Sequence, residues 1–409
     1  GVAVGSVLVL CSGTRSAAQV PTRTLDAPTA SYPQAFSLLQ GIRELPDGRV
    51  MLADPLEQVV VVLDLDRGVA DTLGRVGGGP GEYQQPDNVF PLPGDSTLLV
   101  DLANGRLVFL GPDGGFGETM PIAQQTGDPS PENPMGNMLV VMPAGVDRRG
   151  RVYMTPFGPG PRRRGPPPDS QAVVRWDRTS GEVDTMGMVK LPDREERSSG
   201  GAGRREVRVR PVPYSPRDGW GVGTDGRVAL VRAEPYRVDW VLPDGSVRRG
   251  APVEYRPVRI GRAEQEEWAE AGQAGALTMR AAVTPTGGMS MSFGRGAGRP
   301  QQEFDPRAYE WPDHKPPFAP DGIIVDPDGN VWVERSTPAD EPALYDVFDS
   351  SGRLTEQVRM PEGRRVLGFG EGVVYTIRSD EFDLLWLERY VNGSRERGAG
   401  SGVGVRREM

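Results

Sequence analysis

The stretch GRVGGGPGEYQQP, residues 74 to 86, holds five glycines and two prolines in thirteen positions, the composition of a loop that could wrap a phosphate. A phosphate cradle also needs a strand running in, a helix running out, and a Lys-Ser/Thr pair or a ribose-binding acid downstream. Here Gly81 is followed by Glu82 and Tyr83. The sequence beyond, NVFPLPGDSTLLVDL, carries prolines at 91 and 93 among alternating apolar residues and reads as a strand pair. Within this loop, Glu82 and Tyr83 are the side chains expected to make directed contacts toward the channel mouth. Nucleophilic catalysis by a Ser-His-Asp set has one histidine to draw on, His314 in EWPDHKPPF. Zinc chemistry fails on the same count, because Cys11 is the single cysteine. Oxygen ligands remain, and they suit calcium or magnesium.

Two groups of residues could do such chemistry. The first is Asp54, Asp101, Thr155, Arg232, Arg335 and Arg378, one near the end of each of six short apolar segments. Guanidinium groups bind carboxylate or phosphate bidentately, so the three arginines form a candidate anion-binding arc. The competing reading pairs each with a neighbour in sequence, from Glu234, Asp340, Glu341, Asp380, Glu381 and Asp383. The second group is Asp87, Asn88, Asn137, Asp218 and Asp321. Converging oxygens of this kind can hold a divalent cation that polarises a carbonyl, or they can simply bond turn backbone at strand starts.

The elements that must position these residues are repeated. Apolar runs flank short turns at ELPDGRVMLAD, PLPGDSTLLVD, GVDRRGRVYMT, GVGTDGRVALVR, IIVDPDGNVWVER and LGFGEGVVYTIR. A second hairpin follows at VVLDLDRGVADTL, VFLGPDGGFGETM, VRWDRTSGEVDTM, DWVLPDGSVRRG and DVFDSSGRLTEQV. Each unit is therefore four antiparallel strands, A to D, and six units predict an all-β, six-bladed propeller. The first-turn glycines are Gly48, Gly94, Gly150, Gly226, Gly329 and Gly372, spaced by 46, 56, 76, 103 and 43 residues. From each to its second-turn partner (Gly68, Gly114, Gly181, Gly245, Gly352) the offsets are 20, 20, 31, 19 and 23, so the added sequence lies between blades, and in the B–C connection of blade 3. Strand direction alternates, so B–C and D–A connections emerge together and nearly all additions crown one face. Both residue groups above project toward that face, with the second at the channel mouth. The largest addition, residues 256–318 between blades 4 and 5, begins GRAEQEEWAEAGQAGALTMRAAV and is expected to be partly helical and to lie over the ring as a lid. The TPTGGMSMSFGRGAGRPQQEFDP that follows reads as loop.

Residues 1–18 contain an apolar run, VAVGSVLVL, and small residues ending at Ala18, the pattern of a signal peptide. Leu10 before Cys11 argues against a lipoprotein. Residues 19–393 are then the propeller, with 19–26 predicted as the outer strand of the last blade and 394–409 as a disordered tail that offers a rival closure. Lysine occurs only at 190 and 315. The 47 basic residues against 56 acidic ones give a net charge of −9, which argues against nucleic acid or acidic membrane as partners.

The chain resembles a bacterial family of exported six-bladed β-propellers, itself distantly similar to NHL-repeat propellers. The resemblance rests on GRVGGGPGEYQQP, GDSTLLVDLANGRLVFL, KPPF at 315 to 318, GNVWVER and VLGFGEGVVYTIRSDEFDLLWLERY. It implies fold more than activity, for the family has no catalytic set to carry over. The resulting expectation is a non-catalytic, exported, periplasmic or extracellular monomer without a cofactor. It would bind a small molecule, carbohydrate or envelope protein on the crowned face, without membrane insertion. The alternative is a calcium-dependent lactonase or lyase of gluconolactonase type, acting at the channel mouth.

Overall fold

The structure, a computed structural model, describes residues 20–125, 138–156, 168–199, 206–271, 277–283, 289–295 and 304–393. Six antiparallel sheets follow one another along the chain, each with strands in the order A to D. Blade 1 comprises Ile42–Glu44, Val50–Asp54, Val59–Asp64 and Val69–Leu73, and blade 2 comprises Pro86–Pro91, Thr97–Asp101, Arg106–Leu110 and Phe116–Pro121. Blade 3 is Gly145–Val146, Val152–Met154, Ser170–Trp176 and Val183–Lys190; blade 4 is Gly219–Val222, Val228–Ala233, Tyr236–Val241 and Val247–Arg249. Phe318–Val325, Val331–Arg335, Leu344–Phe348 and Leu354–Arg359 make blade 5, and Arg364–Gly370, Val373–Ser379 and Leu385–Val391 open blade 6. All eleven turn glycines named above have positive φ, between +66° and +84°, which only glycine adopts without strain. The Asp-Gly-Arg turns are locked twice. Asp47 accepts from the Arg49 N–H at 3.1 Å and its Nε at 2.7 Å, and Asp225 holds Arg227 in the same way.

Among the described residues six hydrophobic clusters form, one per junction between blades. Met51, Ala53, Val60 and Val62 of blade 1 meet Val89, Leu99 and Val108 of blade 2. The opposite face of the same strands, Val50, Leu52, Val61 and Leu63, meets Tyr375 and Leu387 of blade 6. Because both faces are buried, these strands read as continuous apolar runs without polar alternation.

Closure departs from the expected residues. Thr22–Thr24 pairs in parallel with Leu354–Arg359, the outer strand of blade 5, and the last blade takes Ala30–Ser31 as its fourth strand, antiparallel to Leu385–Val391. The choice follows from packing. Leu25 enters the cluster between blades 5 and 6 with Trp332 and Tyr390, whereas Tyr32, Phe36 and Leu39 fill the junction of blades 6 and 1. In the 256–318 addition, Arg262–Ala271 is helical, but Leu277–Val283 and Met289–Arg295 pair as an antiparallel hairpin where helix and loop were expected. Helix propensity is a weak prior, and strand pairing overrides it here. Two-stranded additions also stand between blades 2 and 3 (Ala123–Gln125, Met138–Val140) and between blades 3 and 4 (Arg194–Ser199, Glu206–Pro211). The signal-like segment and the tail lie outside the described residues. Among those described, no helix is long and apolar enough to cross a membrane.

Phe36 stacks on Tyr32 with centroids 5.7 Å apart and seals the ring. Phe36→Ala is expected to lower stability by about 3 kcal/mol, read from denaturant midpoints. A loss below about 0.5 kcal/mol would show that this segment does not close the ring.

Candidate functional site

The glycine loop folds around a cation. Arg75–Val76 pairs in parallel with Glu82–Tyr83, and the Arg106 guanidinium donates to the carbonyls of Gly78 at 3.2 Å and Glu82 at 2.8 Å while pairing with Asp101 at 3.1 Å. The loop's oxygens therefore face a cation, the reverse polarity of a phosphate cradle, whose N–H groups face the ligand. The Glu82 carboxylate accepts from the Gly79 N–H at 2.7 Å and pairs with Arg75; these bonds hold its pKa below the usual range. A Cβ on Gly77 would collide with that carboxylate. Tyr83 is buried, with its hydroxyl accepting from the Val60 N–H at 3.1 Å, and burial raises its pKa. Both side chains assigned to the mouth are thus engaged inside the loop and the blade 1–2 junction.

The residues ending strand B serve the same local purpose. Asp54, 1% exposed, accepts from the N–H groups of Ser37, Leu38, Leu56 and Glu57. Asp101 accepts from Gln84 and Gln85, the connector entering its blade. Thr155 sits just beyond its strand, half-buried. The arginines are paired, but not with the neighbours suggested by sequence. Arg232 meets Asp239 at 3.4 Å and Asp218 at 2.7 Å, Arg335 meets Asp346 at 3.7 Å, and Arg378 meets Glu388 at 3.5 Å. In each blade the acid stands on strand C, opposite the residue two before the arginine: Leu230, Val333 and Thr376. Asp346 is fully buried; burial raises its pKa, while Arg335 and bonds from Gln357 at 2.7 Å and Tyr236 at 2.8 Å oppose the rise.

The three acids of the second group do not come together in a metal-holding cluster. Asp218 is taken by Arg232 and by the N–H groups of Lys190 and Ala233, and Asp321 pairs with Arg217 at 2.7 Å. Asp87 is buried, and the Asn88 oxygen accepts from the Val89 N–H and abuts Gly41. Asn137 lies outside the described residues. Among the described residues no three His, Cys, Asp or Glu are grouped to hold a metal ion.

An aromatic cluster escaped the sequence reading. Trp268, on the helix of the addition, packs edge-on against Tyr309 at 5.0 Å and Trp311 at 5.6 Å, with Phe304 6.5 Å away, and all four rings are half-buried. The helix is tied to the ring by Lys315, which reaches Glu267 and the Thr337 carbonyl at 2.9 Å and lies over the Tyr214 ring. Lys315 and the buried Phe318 explain the KPPF marker. Glu264 caps the helix by accepting from the Gly261 N–H at 2.9 Å and reaches the Ala339 N–H at 3.3 Å. Burial alone would raise its pKa, but these bonds and Lys315 outweigh it and hold the value low. His314 is exposed and bridges Arg259 through backbone.

No family model and no curated protein matches the chain. Solved structures similar to it include a calcium-binding protein, regucalcin, from Agrobacterium tumefaciens (13% identity, covering 91% of this chain and 97% of that chain, TM-score 0.40). Others are a gluconolactonase from Xanthomonas campestris (12%, 92% and 99%, TM-score 0.42) and virginiamycin B lyase from Staphylococcus aureus (10%, 89% and 87%, TM-score 0.35). At these identities and scores they carry no inference about activity. The six-bladed plan rests on the six sheets and six inter-blade cores.

Replacing Arg106 by Met would leave the buried Asp101 without its cation and is expected to cost about 3 kcal/mol in urea unfolding. Arg106→Lys should recover only part, because one ammonium cannot span the carboxylate and the loop carbonyls. Since the folded pKa of Glu264 lies below its unfolded value, its anchoring is present above about pH 4.3 and is lost as pH falls through the folded value. Tryptophan fluorescence of the helix cluster should report that acid transition, and Glu264→Gln should flatten it.

Proposed function

We propose that the chain is an exported, non-catalytic binding propeller that holds a saccharide on its loop-rich face. The observation that carries this reading is the half-buried cluster of Trp268, Phe304, Tyr309 and Trp311. It stands on the addition between blades 4 and 5, where D–A connections emerge. A sugar ring presents a face of C–H groups that carries slight positive charge, and the negative face of an indole or phenol ring complements it. Rigid aromatic groups lose little side-chain entropy on binding, and the helix that carries Trp268 is held by Glu264, Glu267 and Lys315. The two-stranded additions before blades 3 and 4 also stand in D–A connections. The acids and arginines of the repeat are committed to one another and to backbone, which makes them framework for that face.

Calorimetric titration with a set of neutral and acidic oligosaccharides tests the reading. At least one should bind and quench tryptophan fluorescence, and Trp268→Ala and Trp311→Ala should each weaken it at least tenfold, or about 1.4 kcal/mol. Saccharide binding that survives both substitutions would place the ligand elsewhere and defeat the proposal.

A further inference from the structure

One turn in the connection that enters blade 4 carries a residue its backbone disfavours. Val212-Pro213-Tyr214-Ser215 follows the strand Glu206–Pro211 and is closed by the Ser215 N–H on the Val212 carbonyl at 3.3 Å. Pro213 takes the second position, which its fixed φ suits, and Tyr214 takes the third with φ +50°. A turn with Pro second and positive φ third takes glycine or asparagine there, because a bulky side chain in the left-handed region is strained. The other non-glycine residues with positive φ among those described are Gln58, Asp95 and Asp383, none of them aromatic. Strain of this kind persists only where the surroundings hold it, so the contacts of the Tyr214 side chain carry its reason.

Those contacts reach both segments that supply the aromatic cluster. The Tyr214 hydroxyl lies 2.6 Å from the Glu264 carbonyl and 2.9 Å from the Glu267 carboxylate, both on the helix Arg262–Ala271. Both groups are acceptors, so the hydroxyl donates. Burial, and then the Glu267 carboxylate, push its pKa up, so it keeps the proton it donates. Trp268 follows Glu267 directly and stands about one helical turn beyond Glu264. On its other side the Tyr214 ring meets Trp311, with centroids 6.3 Å apart. Lys315, which bonds Glu267, holds its ammonium 5.4 Å from the centre of the same ring. Trp311 itself bonds only within its own segment through its indole N–H, to the Pro306 carbonyl at 2.8 Å.

We infer that Tyr214 is the positioning residue of the saccharide platform: it pins the Trp268 helix against Trp311, so that the two indoles keep a fixed spacing before any ligand arrives. The inference rests on the saccharide reading above. Tyr214 acts through the helix and Trp311 and does not itself meet the sugar. Glycine would relax the turn but reach neither neighbour, and phenylalanine would keep the ring and lose the donor. The strained turn thus gives up local stability for a platform that has little ordering left to do on binding.

Tyr214→Phe and Tyr214→Gly are compared with the wild type in the full chain, by amide hydrogen exchange without ligand and by titration with chitohexaose, cellohexaose and hexagalacturonate. In the Phe variant the amides of residues 262–271 should exchange about threefold to tenfold faster, the worth of one hydrogen bond, while exchange in the blade strands and Tm stay as in the wild type. Affinity for the saccharide that binds the wild type should fall by the same factor. The Gly variant, whose backbone suits the turn, should fold and lose about tenfold or more. The role is overturned if the helix exchanges at the wild-type rate in both variants, or if the blades quicken equally, the mark of a residue that only supports the fold. It is also overturned if a saccharide that binds the wild type binds both variants as tightly. Should none of the three bind the wild type, it is the saccharide reading that fails, and hydrogen exchange alone decides whether Tyr214 orders the ring cluster.

Discussion

Each blade must bury both of its faces, and the rest of the structure follows from that constraint. A sheet covered on one side can alternate apolar and polar residues. These sheets cannot, and strand B of blade 1 reads VMLAD, with Val50 and Leu52 turned to blade 6 and Met51 and Ala53 to blade 2. A ring of such sheets has no free hydrophobic face only when it is complete, so the junction between blades 6 and 1 carries the same burden as the other five. Polar chemistry is displaced to strand ends and connectors, and the few charges held within the blades need partners supplied by the fold.

Those partners link neighbours around the ring. The Tyr153 hydroxyl reaches the Gly226 carbonyl of blade 4 at 3.2 Å, Tyr236 reaches Asp346 of blade 5, and Tyr345 accepts from the Val366 N–H of blade 6 at 3.1 Å. Tyr375 then bonds Glu44 of blade 1, and Tyr83 bonds Val60. A buried tyrosine fills the junction with its ring and fixes the register with its hydroxyl. Asp346 joins both systems, taking its hydrogen bond from blade 4 and its cation, Arg335, from blade 5.

The blade count was legible because the turn glycines need positive φ and recur at fixed offsets, so their spacing exposes the repeat. Closure was legible in kind but not in register. Residues 22–24 and 30–31 are both short, and the outer strands of blades 5 and 6 both offer edges. A parallel pair has no connecting turn to read, so only the destinations of Leu25 and Tyr32 decide between them. The arginine partners were missed because they lie across a strand pair, not along the chain. A charged residue inside an apolar strand, as in YRVDWV, LYDVF and LWLERY, was the available signal. The aromatic cluster left little, since its members come from two segments that meet only through the helix.

The way the chain ends meet also orders events in time. Thr22 pairs with Gln357, Ser31 with Glu388, and the Arg23 guanidinium with Asn392. Contacts separated by 335 to 369 residues cannot form until all the intervening chain exists, which at about 5–20 residues per second takes tens of seconds of synthesis. Until then the outward face of the newest blade and the exposed face of blade 1 remain sticky, and each added blade only moves the open junction along. The molecule behaves less like beads folding in turn than like a clasp whose two halves are made far apart in time.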